Sequence, residues 1–193
     1  MRTRILCLEG EWDEKHQDVT VEPLLKLLQN LDAWNNDNRR QLTVEHHLCQ
    51  SVKRLKHKLQ GIDQRSFPND TAFNCLHLAF HGNKCGLHTD GEAISFEEIA
   101  DCIGDKARGK IVFFSSCGER GQEKKLEEFK QNTGAQLVVG YAASVDWLAA
   151  SLFEICFFSD LLDRPRKLNK NFVKAMLTKA EQPIFKTLRI IIL

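Results

Sequence analysis

Long apolar runs are missing from this chain. The most apolar stretch, Trp147 to Phe158, carries Glu154 and falls well short of the roughly 20 residues a bilayer-crossing helix needs. It is expected to be a core helix, and no membrane partner is expected. The first twenty residues hold Arg2, Arg4, Glu9, Glu11, Asp13, Glu14 and Lys15, which leaves no apolar stretch of signal-peptide length, so the expectation is a chain that is not exported. An excess of one charge is missing too. The chain has 27 Lys plus Arg against 26 Asp plus Glu, so no global field draws it to nucleic acid or to an anionic surface. Regularly spaced cysteines are also absent. The 7 cysteines are an odd number scattered along the chain, which suits free thiols in a reducing compartment, and the cytoplasm is the expected location. Internal repeats, low-complexity tracts and linkers are missing as well. With 193 residues, 42% of them hydrophobic and 27% charged, the expectation is one globular domain over residues 1–193.

What is present is an alternation of apolar, β-rich runs with stretches of helical period, the pattern of a mostly parallel sheet covered by helices on both faces. The fold class is therefore α/β, with about six strands. Ile5 to Leu8 reads as the first strand. Leu24, Leu27, Leu28, Leu31 and Trp34 then fall at helical spacing behind Pro23, before a polar loop from Asn35 to Arg40. Leu42 to Leu48 reads as a strand, and Val52, Leu55, Leu59 and Ile62 as the buried stripe of a helix that leads to a turn at Ser66, Pro68, Asn69 and Asp70. Phe73 to His81 is the third strand and Gly82 to Gly91 a loop or small hairpin. Ser95 and Glu98 then stand in capping-box spacing ahead of Ile99 and Ile103. Ile111 to Ser115 is the fourth strand, Lys124 to Asn132 a helix closed by Gly134, and Gln136 to Tyr141 the fifth strand. The apolar helix to about Leu162, a helix around Phe172 to Leu177 and a closing strand within Leu188 to Leu193 complete the chain.

Open parallel sheets collect reacting groups beyond the carboxyl ends of their strands. The third strand delivers His81-Gly82 there and the fourth delivers Cys117-Gly118. With one helix between them, a right-handed crossover sets these strands about 4.8 Å apart, so histidine and thiol share a cleft. An imidazole beside a thiol promotes the thiolate that attacks a carbonyl. The glycines that follow leave backbone N–H groups approachable, and Gly82 and Cys117 are the expected oxyanion donors through their backbones.

Four segments carry a likeness: Leu76-His-Leu-Ala-Phe-His-Gly82, Asp90-Gly-Glu-Ala-Ile-Ser95, Lys110-Ile-Val-Phe-Phe-Ser-Ser-Cys-Gly118, and Val138-Val-Gly-Tyr-Ala142 ahead of an apolar helix. In that order the chain resembles the caspase-like (clan CD) cysteine peptidases, which include caspases, metacaspases, separase and the small bacterial CHAT-like peptidases, the last of these most of all. The resemblance implies the three-layer caspase-hemoglobinase fold and a Cys117/His81 dyad. In such a dyad the cysteine attacks the scissile bond, the histidine passes a proton to the leaving amine, and a backbone carbonyl, with no acidic third member, orients the histidine. It also implies a specific protein or peptide substrate, no cofactor, and a target made in the same operon in bacterial defence. The short length, which leaves little room for a separate sensing domain, adds the expectation of an activating or regulatory protein partner.

Two departures bear on specificity. Where metacaspases carry an acidic residue two positions before the nucleophile, this chain has Ser115. Where caspases carry an arginine for an acidic P1, the loop after the first strand has Glu9, Glu11, Asp13 and Glu14. An acidic rim repels an acidic P1, so the expected P1 is basic or neutral, with Ser115, Glu11 and Asp146 as candidate substrate-binding residues. Asp146 also reads as a cap of the helix that follows it. The short Gly118 to Glu123 segment lacks a cleavable linker, so activity is expected of the uncut chain.

Three other readings compete. Cys75, His77, Cys85 and His88 lie close together in sequence and offer zinc ligands, but their spacings lack the paired knuckles of a structural site, and His77 reads rather as a buried strand histidine. A non-catalytic interaction module on the same fold is the second. An α/β-hydrolase is disfavoured, because Ser115 replaces the first glycine of the nucleophile elbow and His81 precedes the cysteine. Cys7, Cys49, Cys102 and Cys156 sit in apolar patterns and are expected to be core residues.

Overall fold

The computed structural model describes residues 2–12, 20–34, 41–62, 73–83, 86–118, 121–163 and 170–193. The expected turns at 35–40 and 66–70 lie outside these residues, as do Asp13, Glu14 and Cys85. In chain order the elements are β1 (Arg2–Glu9), α1 (Glu22–Trp34), β2 (Gln41–Leu48), α2 (Val52–Gln60), β3 (Cys75–Ala79), β4 (His81–Asn83), β5 (Gly86–Thr89) and β6 (Glu92–Ser95). They continue with α3 (Phe96–Ile103), β7 (Ile111–Ser115), α4 (Gln122–Thr133), β8 (Leu137–Tyr141), α5 (Trp147–Asp163), α6 (Lys170–Ala180) and β9 (Ile190–Ile192). The six-stranded sheet runs β2-β1-β3-β7-β8-β9. All its pairs are parallel except β8 with β9.

Strict alternation along the strands divides the core between the two faces. Leu6, Leu8, Leu76, Leu78, Val112 and Phe114 pack with Val52, Leu55 and Leu59 of α2, Ile99 of α3, and Leu126 and Phe129 of α4. Ile5, Cys7, Cys75, Phe113 and Val139 point the other way, onto Leu25 and Leu28 of α1, Phe153, Phe157 and Phe158 of α5, and Phe172 and Met176 of α6. Both faces being covered, β3, β7 and β8 are buried throughout, as central parallel strands are. On the second face Phe113 sits 5.1 Å from the ring of Phe157 and 5.8 Å from that of Phe158. Each such ring contributes about 1.5–3 kcal/mol by leaving water, so this cluster anchors α5 to the sheet. Among the described residues no helix is long and apolar enough to cross a membrane.

The third strand is shorter than the sequence suggests. Pairing of β3 with β7 ends at Ala79 opposite Ser115, and Phe80 makes one last bond, from its amide to the Ser115 carbonyl (3.2 Å). His81 then pairs with His88 and opens a separate three-stranded antiparallel sheet, β4-β5-β6. Asp90 and Gly91, with φ of 50° and 71°, form the two-residue turn that joins β5 to β6, a left-handed conformation that an Asp-Gly pair supplies cheaply. The Ser95 capping box forms in full: the Ser95 hydroxyl accepts from the Glu98 amide, and the Glu98 carboxylate accepts from the Ser95 amide.

Candidate active site

Register brings the two expected groups to one edge. Ala79 pairs with Ser115, so His81 and Cys117 each stand two residues past a paired position of adjacent parallel strands, at their carboxyl ends. The contact there is tight. A Cβ added to Gly82 would stand 2.1 Å from the Cys117 carbonyl oxygen, and one added to Gly118 would stand 1.7 Å from the Tyr141 carbonyl oxygen. Neither neighbour is a flexible side-chain end, so glycine is required at both positions for the chains to approach. The Gly118 amide is taken by the Ala143 carbonyl at 2.8 Å and so is not an oxyanion donor.

Cys117 is half-buried, and its Sγ lies 3.8 Å from the Ser144 hydroxyl. His81 is exposed, and its Nε2 hydrogen-bonds the main-chain carbonyl of Trp12. A carbonyl only accepts, so Nε2 carries the proton, and in the neutral ring Nδ1 is bare and basic. The Trp12 indole also packs edge-on against the imidazole, centroids 5.3 Å apart at 72°.

The other expected residues fall into different places. Glu11 is half-buried, next to Trp12. Asp146 is exposed, two residues beyond Ser144, and its Oδ1 accepts from the Ala149 amide at 2.8 Å, so it caps the first turn of α5. Trp147 and Leu148, 49% and 66% exposed, follow it on the same rim. Ser115 turns inward, donating to Glu154 Oε1 at 2.5 Å. Glu9 corrects the expected acidic rim. It is fully buried and therefore lends the rim no charge, because its carboxylate is spent on internal donors.

Beneath the edge lies a second polar cluster. Tyr141 donates to Glu154 Oε1 at 3.2 Å, and His77 Nε2 lies 3.2 Å from Glu154 Oε2 but out of hydrogen-bond alignment. Cys7 Sγ sits 3.4 Å from His77 Nδ1. Burial, and after it the nearby carboxylates, pushes the Cys7 and Tyr141 protons well above their ordinary values, and Cys75 moves the same way. His77 is thus a buried strand histidine. Among the described residues no group of three His, Cys, Asp or Glu is arranged to hold a metal. Of the cysteines expected in the core, Cys7 and Cys49 are buried, whereas Cys102 and Cys156 are half-buried against the core's edge.

Sequence reasoning missed Trp12, Ser144 and the role of Glu154. Any residue has a carbonyl, so the one at Trp12 leaves no trace in the residue order. The acid inside an apolar helix was a trace of Glu154, since a buried carboxylate needs partners.

The fold is that of an α/β protein with a mostly parallel six-stranded sheet, and His81 and Cys117 follow adjacent strands of it at their carboxyl ends. The chain belongs to a family of unknown function (DUF6642), whose model matches residues 2–188. No curated protein matches the chain.

Proposed function

We propose that this protein is a cysteine endopeptidase of caspase-like fold that cleaves peptide bonds of a specific protein through a Cys117/His81 dyad. The observation that carries the reading is the hydrogen bond from His81 Nε2 to the Trp12 carbonyl, beside the strand end that bears Cys117. It fixes the imidazole with a basic Nδ1 without an acidic partner, as the dyad mechanism requires. The Cys117 sulfur attacks the scissile carbonyl carbon, the oxyanion is met by the Gly82 and Cys117 amides, and the thiol proton passes by way of His81 to the leaving amine. Water then enters, gives a proton to His81 and hydrolyses the thioester, which restores the thiol and releases the acid. Glu11 adjoins the residue that touches His81, and Asp146 lies close to the one that touches Cys117, so a basic or neutral P1 is favoured over an acidic one.

The test is cleavage of a peptide library by wild type, Cys117→Ala and His81→Ala. Loss of roughly a thousandfold or more in kcat/KM in both variants is expected. If wild type cuts nothing while folded, and binds a partner equally well with or without Cys117, the dyad is idle and the protein is an interaction module.

A further inference from the structure

A buried carboxylate that ties residues 12, 20 and 21 to the sheet also bears on His81. Glu9, the last residue of β1, is fully buried, and four donors converge on it. The Trp12 indole Nε1 and the Val21 amide reach Oε1 at 2.5 and 2.8 Å, while the Thr20 hydroxyl and His46 Nε2 reach Oε2 at 2.6 and 2.5 Å. Burial alone would raise this carboxyl, but the bonds from His46, Thr20, Trp12 and Val21 outweigh it and hold it below its ordinary value. Every partner donates, so the site is built for an anion and for nothing that carries hydrogens of its own. The donors come from residue 12, from residues 20 and 21 beyond it, and from β2, which converge on one charge. Breaking one of these contacts leaves a buried charge short of a donor, so Trp12 is held firmly.

We infer that Glu9 is a positioning residue for His81: by fixing Trp12 it sets the carbonyl that keeps the imidazole in its Nε2–H tautomer. The consequence for turnover rests on the peptidase reading. The tautomer itself does not, because it follows from Glu9, Trp12 and His81 alone.

The experiment is a two-bond proton–nitrogen correlation spectrum of the histidine rings in uniformly labelled protein, recorded for wild type, Glu9→Gln and Trp12→Phe, with His81→Gln to assign the signal. In wild type the neutral ring is expected wholly as Nε2–H. In Glu9→Gln the amide presents its NH2 to donors, Trp12 is released, and a mixture of both tautomers is expected. Trp12→Phe removes the link from the other side while the anion keeps three donors, and the same mixture is expected. It also carries the test if Glu9→Gln fails to fold. On a cleaved peptide, kcat is expected to fall about tenfold in either variant with KM within about twofold, as for misplaced catalytic groups. An unchanged wild-type tautomer in a folded variant overturns the inference and reduces Glu9 to a loop staple. A protein that cuts nothing but shows the tautomer change sinks the peptidase reading and leaves this one standing.

Discussion

Cys7 and His77 face each other at 3.4 Å between the sheet and α5, with the carboxylate of Glu154 on the far side of the imidazole. Cys117 and His81 stand beyond the ends of the neighbouring strands, one half-buried and one exposed, with the Trp12 carbonyl in place of a carboxylate. By residue type the first set is the more complete triad: thiol, imidazole and acid. By environment it is inert, since its thiol is burdened by desolvation and no substrate reaches it. The buried set is shut off from substrate, whereas the second set lies beyond the carboxyl ends of adjacent parallel strands, where open sheets collect reacting groups.

The largest expected difference between the two sets is reactivity. With iodoacetamide at neutral pH, Cys117 is expected to alkylate at least about a thousandfold faster than Cys7 or Cys75, whose reaction must await opening of the core. Site-resolved mass spectrometry reads this directly. Comparable rates at Cys7 and Cys117 would break the contrast, because the buried pair would then be open to reagents and to substrates.

Stability is expected to divide the other way. Glu154→Ala strips the partner from the Ser115 and Tyr141 hydroxyls and leaves a cavity, and is expected to cost about 3–5 kcal/mol. For a chain of this length that lowers Tm by roughly 10 °C. His81→Ala, at an exposed position, is expected to cost about 1 kcal/mol or less. Thermal unfolding followed by circular dichroism checks both, and a Glu154→Ala protein as stable as wild type would show that the buried cluster is not structural.

Much of this architecture was legible before any coordinates. Ile111 to Ser115 is a strand with the expected bounds, and the Ser95–Glu98 box forms as spaced. Apolar period and capping are local, so they survive in the residue order. The positions of His81 and Cys117 at one edge followed from topology alone. What escaped were contacts made across the chain: Glu9 looked like part of an acidic surface cluster, because nothing near it announces that Thr20 and His46 converge on it from 11 and 37 positions away. The strand through His81 was overextended because Phe80-His81 continues the apolar run while its pairing has already passed to the hairpin.

Alkali probes how well the first set is closed off. The folded state holds the protons of Cys7 and Cys75 above the ordinary thiol value of 9.0, mainly by burial, and it holds that of Cys49 up to about 11. The unfolded chain loses these protons from about pH 9. Their contribution to stability is therefore complete below that pH and is lost as pH rises towards the folded values. Each group adds about 1.4 kcal/mol per pH unit to the fall. Cys7→Ala should remove one such increment from the slope of unfolding free energy between pH 9 and 10.5, measured by urea titration, whatever it does to stability at pH 7. An unchanged slope would mean that the Cys7 thiol ionises as readily folded as unfolded.

The smallest effect separates a buried acid, Glu154, from an exposed one, Asp146. Glu154 is 2% exposed and bonded inward, so it cannot meet a P1 side chain without giving up Ser115 and Tyr141. Asp146 is exposed on the rim, but its Oδ1 already caps α5. Asp146→Ala removes cap and charge together and is expected to cost about 1 kcal/mol, a few degrees in Tm. Asp146→Asn keeps the cap, since asparagine accepts from the same amide, and removes only the charge. If Asp146 only caps, the Asn protein matches wild type in Tm and in its preference among Lys, Arg and neutral P1 peptides. If its charge also serves the cleft, the Asn protein keeps its Tm but loses several-fold in kcat/KM on Lys and Arg peptides alone. Either outcome assigns the rim acid, and the second would mark it as the specificity residue that the sealed Glu154 cannot be.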